Sequence, residues 1–563
     1  MRRSVLIAWA LAWAMGCGTD GASQDAKDSP VEVEADTADV PGETLVEPAS
    51  DATPEASPDA APDPGAPVLP AEIATEGGKV RGTGEIGWPR AFLGIPFAAP
   101  PVGDLRWRAP QPAARWDGVL SADVFGPGCA QDAGLMAEAP SYGEDCLTLN
   151  VWSPGRSGSA PVLVFIHGGG FLMGASASSV TIGDRLAADR GLVVVTLNYR
   201  LGPLGFLAHP ALTAADPAHP TNFGLLDQRA ALEWVHRNIA AFGGDPGDVT
   251  LAGQSAGGMG VCAQLAAAGG DGLFHRAILQ SGPCMEGLPD LAGAEAQGAA
   301  LAGALGCDGT ADVLACLRGK DEVEVRQALP LRKGLFFGEG AFWQPAVDGV
   351  FLPGQPALRV RAGDSHRVPL LIGSNGDEGS LLRFLAYPGD IDEATFTAFV
   401  GTAFGGQAGA ILARYPVASY PSVQKTLDAL LGDFVFVCPT RRTMRDVAAT
   451  GQPVRAYRFL HAPGFLPLPG FGAYHTAELP FVFAAAPAGA WFDADQEDLA
   501  GHMSAYWAAF VRTGEPGDGD GTHPWPAYDA ADDRHLVLDF AITQATGYED
   551  DACDFWDGMP MRP

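Results

Sequence analysis

The sequence predicts a large α/β domain, a mostly parallel sheet flanked by helices on both faces, with several long insertions. Three observations carry that prediction. Short apolar, β-branched runs recur at Val162–Ile166, Leu192–Thr196, Val249–Leu251 and Pro369–Gly373, the pattern of strands buried on both faces. Helical stretches lie between them, such as Leu225–Ala241, which sets Ala230, Leu232, Trp234, Val235 and Ile239 among charged residues. The composition can fill such a core, because 47% of the 563 residues are hydrophobic and only 18% are charged. That length suits one large domain plus appendages, and wholesale disorder is excluded.

The appendage lies at the start of the chain. Arg2 and Arg3 precede an apolar run, Val5 to Ala14, too short to span a bilayer, so residues 1–17 read as an export signal. The signal ends Ala14-Met15-Gly16-Cys17, which resembles the lipobox of bacterial lipoproteins, in which the cysteine becomes the lipidated first residue. An ordinary cleaved signal with a chance cysteine is the alternative. Gly18 follows the cysteine, and in a Gram-negative lipoprotein this resembles outer-membrane sorting; a periplasmic or secreted protein is the other expectation.

Residues 18–70 show neither helical nor strand period and carry thirteen acidic residues against one Lys. Such a segment cannot bury enough apolar surface to offset its ordering entropy, so it reads as a solvated tether. Behind a lipidated Cys17 it would hold a folded body, residues 71–563, away from a membrane. The formal net charge of the chain is -32. The signal contributes +2 and the tether -12, so -22 belongs to the body. A body this acidic repels phosphate backbones, which argues against nucleic-acid binding.

The sharpest chemical feature is Gly253-Gln254-Ser255-Ala256-Gly257. Gly-x-Ser-x-Gly is weak alone, but here a strand, Val249–Leu251, enters it and a small-residue stretch able to start a helix leaves it. A strained strand–turn–helix elbow of this kind lifts a serine hydroxyl above the sheet edge. A second glycine run, His167-Gly168-Gly169-Gly170-Phe171, follows the strand ending at Ile166. The backbone N–H groups of Gly169 and Gly170, with that of Ala256, can converge on a reacting carbonyl oxygen as an oxyanion hole.

With these strings in view, the chain resembles the type-B carboxylesterase family, which includes cholinesterases, mammalian carboxylesterases and microbial para-nitrobenzyl esterases. The resemblance runs from about residue 75 to residue 530. It also rests on Glu144-Asp145-Cys146-Leu147-Thr148-Leu149-Asn150-Val151-Trp152, Asn198-Tyr199-Arg200-Leu201-Gly202, Asn222–Gln228, Asn238–Pro246 and Gln280-Ser281-Gly282. It implies an α/β-hydrolase fold and a Ser–Glu–His triad in that chain order. Glu378, in Asn375-Gly376-Asp377-Glu378-Gly379, matches the acid position, with Asp377 as the neighbour one register away. His475, before Glu478-Leu479-Pro480, matches the base, and His461 reads as structural. The resemblance further implies ester substrates, water as the second reactant and no cofactor or metal. It also implies two disulfides, Cys129–Cys146 and Cys307–Cys316. Cys262, Cys284, Cys438 and Cys553 have no partner that spacing alone can assign.

Two departures from the family bear on substrate. The Cys129–Cys146 loop is short and contains no Trp, whereas cholinesterases carry one there that holds a quaternary ammonium by cation–π contact. Gln254 stands beside the nucleophile where many relatives have a glutamate. Neutral aliphatic or aryl esters therefore fit better than choline esters. A lipase or other specialised acyl hydrolase on the same scaffold is the alternative enzyme. A non-catalytic adhesion or partner-binding protein is the alternative outside enzymology, opposed by the presence of every catalytic part.

Overall fold

The computed structural model describes residues 66–132, 138–332, 339–465, 470–518 and 523–559. Ten strands form its main sheet, labelled here in chain order. They are β1 (Arg90–Pro96), β2 (Thr148–Ser153), β3 (Ala160–Ile166), β4 (Val193–Leu197), β5 (Gly244–Gln254), β6 (Arg276–Gln280), β7 (Leu370–Asn375), β8 (Val454–Phe459), β9 (His535–Leu538) and β10 (Thr543–Ala545). Across the sheet they run β10-β9-β8-β7-β6-β5-β3-β4-β2-β1. Every pair from β9 to β4 is parallel. The pairs at the two ends, β9–β10, β4–β2 and β2–β1, are antiparallel. This is the α/β-hydrolase arrangement that the sequence predicts.

Side chains explain why the sheet is doubly covered. Val162, Val164 and Ile166 of β3 join one buried cluster, while Leu163 and Phe165 join a second. Val193 and Val195 of β4 likewise separate from Val194. Successive strand residues face opposite sides of a sheet, so two cores divide these runs between them. Among the flanking helices are α1 (Phe223–Asn238), α2 (Ala256–Ala266), α3 (Gly379–Ala386), α4 (Cys438–Ala449), α5 (Ala494–Thr513) and α6 (Asp550–Asp557). The expected helix to Ala241 stops at Asn238 and tightens into a 3-10 turn, Ile239–Phe242, ended by Gly243 at φ 87°.

Residues just before position 71 already contact the folded body. Leu69 is buried and its N–H donates to the Gly155 carbonyl, while Ser157 N–H donates to Pro67. The export signal 1–17, lipidation of Cys17 and the tether as far as residue 65 lie outside the described residues. The stretch Glu393–Ser419 is long and apolar enough in composition to cross a membrane. It breaks at Gly405, however, and packs Phe396, Val400 and Ile411 into the core.

Four disulfides brace the body. Cys129–Cys146 and Cys307–Cys316 are the pairs the resemblance implies, and the structure adds Cys262–Cys284 and Cys438–Cys553. Cys262–Cys284 ties α2 to the loop after β6, and Cys438–Cys553 ties the start of α4 to α6. Arg441, itself buried, reinforces the second clamp through Asp533 at 2.8 Å and Asp554 at 2.7 Å.

Candidate active site

The elbow sits where β5 hands over to α2. Ser255 occupies φ 57°, ψ -129°, a conformation costly for a residue with a side chain and held here by its surroundings. Its N–H donates to the Gln280 carbonyl of β6 and its own carbonyl accepts from Met259 in the first turn of α2. Gly253 and Gly257 are obligatory: a Cβ on the first would lie 2.4 Å from the second's carbonyl carbon, and a Cβ on Gly257 would lie 2.0 Å from the Ile166 oxygen. Phe171, Ser281 and Thr476 also have positive φ, so backbone strain gathers in the segments that meet at this point.

The glycine run lies directly on the elbow. A Cβ on Gly168 would approach the Ser255 Cβ to 2.8 Å, and one on Gly169 would strike the Met173 carbonyl at 2.1 Å. Gly169 and Gly170 take φ 109° and 64°, which turns the peptide sharply over the serine. With the loop this close, Ser255 is only 6% exposed. His167, which opens the run, is stacked on Tyr199, and burial pushes its imidazole down to about 4, so it stays neutral.

Behind the elbow the structure brings Glu378 and His475 together. Their atoms Oε2 and Nδ1 are 2.5 Å apart, and both side chains are buried. The second carboxylate oxygen of Glu378 accepts from the Asn375 N–H at 2.7 Å, which fixes the carboxylate plane. Asp377 turns the other way, to Lys425 at 3.1 Å and the Ala473 N–H at 3.1 Å. At the far side of the imidazole, Nε2 lies 3.2 Å from the amide nitrogen of Gln254, the residue immediately before Ser255. His461 is elsewhere, packed against Phe481 and Phe540 beside Asp539.

Two neighbours were not singled out by the sequence reading. Phe436 stacks on the His475 ring at 4.2 Å and 21°, presented by a π-helical turn, Asp433–Val437, that leads into α4. Glu478 is fully buried and accepts from Asn375 Nδ2 at 2.6 Å and from Gln280 Nε2 at 3.2 Å. Burial first, then the nearby Glu378 charge, pushes its carboxyl up to about 7 against the pull of Asn375. Its only sequence signal is its place three residues after His475 in the string that located the histidine; Phe436 has none.

A cavity of about 680 Å³ adjoins this cluster. Phe171, next to the glycine run, and Met259, one turn after Ser255, line it on the side of the serine elbow's own segments. Its walls include Met285, Phe404, Phe434 and Trp556. Trp556 comes from α6, with its ring 4.9 Å from that of Phe434 and its Nε1–H donating to Tyr415 at 2.7 Å. Three charged residues of the cavity lining, Glu286, Asp446 and Arg442, are ion-paired. Arg361 meets Asp446 at 3.0 Å and Glu286 at 3.7 Å, and Arg442 meets Asp557 at 2.7 Å.

Residues 70–556 match the model of the Carboxylesterase family. Among similar proteins, the para-nitrobenzyl esterase of Bacillus subtilis (strain 168) is 37% identical over 84% of this chain and 95% of its own. The acetylcholinesterase of Bungarus fasciatus is 34% identical over 86% of each chain. The fumonisin B1 esterase of Sphingopyxis macrogoltabida is 35% identical over 84% of this chain and 87% of its own. With its sheet order and its buried serine elbow, the chain belongs to the carboxylesterase family and is a serine carboxylesterase.

Proposed function

We propose that Ser255, His475 and Glu378 form a catalytic triad that hydrolyses neutral aliphatic or aryl esters through an acyl-enzyme. The single observation that carries this reading is the chain of contacts from Glu378 through His475 to the residue beside Ser255. A serine hydroxyl is a poor nucleophile at neutral pH, so His475 Nε2 takes its proton as Oγ attacks the ester carbonyl. The oxyanion that forms accepts from the N–H groups of Gly169, Gly170 and Ala256. His475 returns the proton to the leaving alcohol, and the acyl group stays on Ser255. Water then attacks the acyl-enzyme by the same route, releasing the acid and restoring the serine. Glu378 orients the imidazole and stabilises its transient charge without itself taking the proton.

Neutral substrates suit a cavity whose walls are largely apolar and aromatic. The name of the Bacillus relative, para-nitrobenzyl esterase, supports an ester that carries a nitro-substituted aromatic ring as the first probe. Ser255→Ala abolishes hydrolysis of para-nitrophenyl esters while the thermal midpoint stays nearly unchanged. Wild-type turnover by that variant would sink the assignment. The N-terminal sequence supports export and anchoring through a lipidated Cys17. In that case native protein partitions into detergent and Cys17→Ser releases it or blocks processing. Mature wild-type protein found wholly in the medium refutes the anchor.

A further inference from the structure

Gln254 is buried at the end of β5, wedged between the glycine run and the imidazole. A Cβ on Gly168 would lie 2.8 Å from Gln254 Oε1, and Gln254 Nε2 is 3.2 Å from His475 Nε2. The opposite ring nitrogen fixes the direction of this contact. Nδ1 lies 2.5 Å from Glu378, and an ionised carboxylate can only accept, so Nδ1 carries the hydrogen. A neutral ring then offers a lone pair at Nε2, and the Gln254 amide donates to it.

We infer, on the triad reading above, that Gln254 is a positioning residue that holds resting His475 neutral and in its Nδ1–H tautomer. The Ser255 hydroxyl must reach the same lone pair in order to pass its proton, so amide and hydroxyl compete for it. Once the imidazolium forms, its new Nε2–H faces an N–H donor rather than an acceptor. That mismatch favours onward delivery of the proton to the leaving alcohol. The charged and titratable groups around the ring then have opposed effects. Glu378 attracts the positive ring from the Nδ1 side, and Glu478 adds to that attraction when ionised. Asp377 lies beyond Glu378 and is paired with Lys425, while Phe436 covers one face of the ring without charge. The Gln254 amide is the neighbour that opposes protonation.

The test is the pH profile of kcat/KM for para-nitrophenyl butyrate with Gln254→Glu and Gln254→Met. A carboxylate at 254 accepts from Nε2–H and keeps the ring protonated, so the acid limb moves up by about one pH unit or more. Activity above the shifted limb recovers towards wild type. Methionine removes the donor and adds no acceptor, so its limb moves the same way by less, and this variant serves if the glutamate variant fails to fold. A purely structural role would lower kcat or stability and leave the limb where it was. Acid limbs unmoved in both variants, with Ser255→Ala and His475→Ala inactive, overturn the inference about Gln254 alone. Activity surviving in Ser255→Ala or His475→Ala overturns the triad instead.

Discussion

Glu378→Gln isolates what a single buried charge does here. The carboxylate has two engagements: one oxygen accepts from the Asn375 N–H and the other from His475 Nδ1–H. Glutamine can satisfy only one of them. If its carbonyl oxygen keeps the Asn375 N–H, its amide nitrogen faces Nδ1 and demands a lone pair there. The ring proton then moves to Nε2, where it meets the Gln254 amide and can no longer accept from serine. The lost charge adds to this. Two unit charges about 4 Å apart attract by about 4 kcal/mol at an effective dielectric of 20. At 1.36 kcal/mol per tenfold, that corresponds to about a thousandfold loss as the imidazolium forms. With the tautomer penalty the expected loss in kcat is about 10³–10⁴, the scale seen for Asp→Asn in a serine protease triad. The assay is steady-state hydrolysis of para-nitrophenyl acetate, with thermal unfolding as the control for folding. A loss below about tenfold in a folded variant would refute the reasoning, because neither effect could then be operating. A larger loss from Asp377→Asn than from Glu378→Gln would refute the choice of acid.

Three further outcomes follow from the same geometry. Glu478 has an ordinary value of 4.5 and is pushed up to about 7, so the folded state binds more protons between those values and stability falls as pH rises through that window. Glu478→Gln removes the slope, so its Tm relative to wild type climbs between about pH 5 and about pH 8; a flat difference refutes the shift. Opening Cys438–Cys553, separated by 115 residues, costs about 5 kcal/mol of chain entropy, against about 3 kcal/mol for Cys262–Cys284, separated by 22. Paired Cys→Ser variants are therefore expected to lose stability in that order, and the reverse order in denaturant unfolding counts against the entropic account. The acidic body concentrates cations only through a diffuse, salt-screened field, so butyrylcholine gains little in kcat/KM over neutral 3,3-dimethylbutyl butyrate at physiological salt. A salt-insensitive preference of about a hundredfold or more means a dedicated cation site, with Trp556 the first aromatic to test.

The fold class was legible because a sheet covered on both faces demands unbroken apolar runs, and those runs are local in sequence. Gly253–Gly257 and His167–Phe171 were legible for a related reason: each is a single tight turn whose backbone clashes exclude side chains, whatever the rest of the chain does. The resemblance pointed to Glu378 as the acid, with Asp377 one register away as the alternative, and sequence alone shows no contact that separates the two. Asp377 and Glu378 share one turn, and only the third dimension puts Lys425 beside the first and His475 beside the second. The pairing of Cys438 with Cys553 and the seating of Trp556 in the cavity wall join segments more than a hundred residues apart. Phe436 reached His475, and Glu478 its elevated proton affinity, in the same way. Contacts of this kind are chosen by how helices and loops pack over the sheet, and burial on that scale follows from the whole assembly rather than from any local pattern of residues.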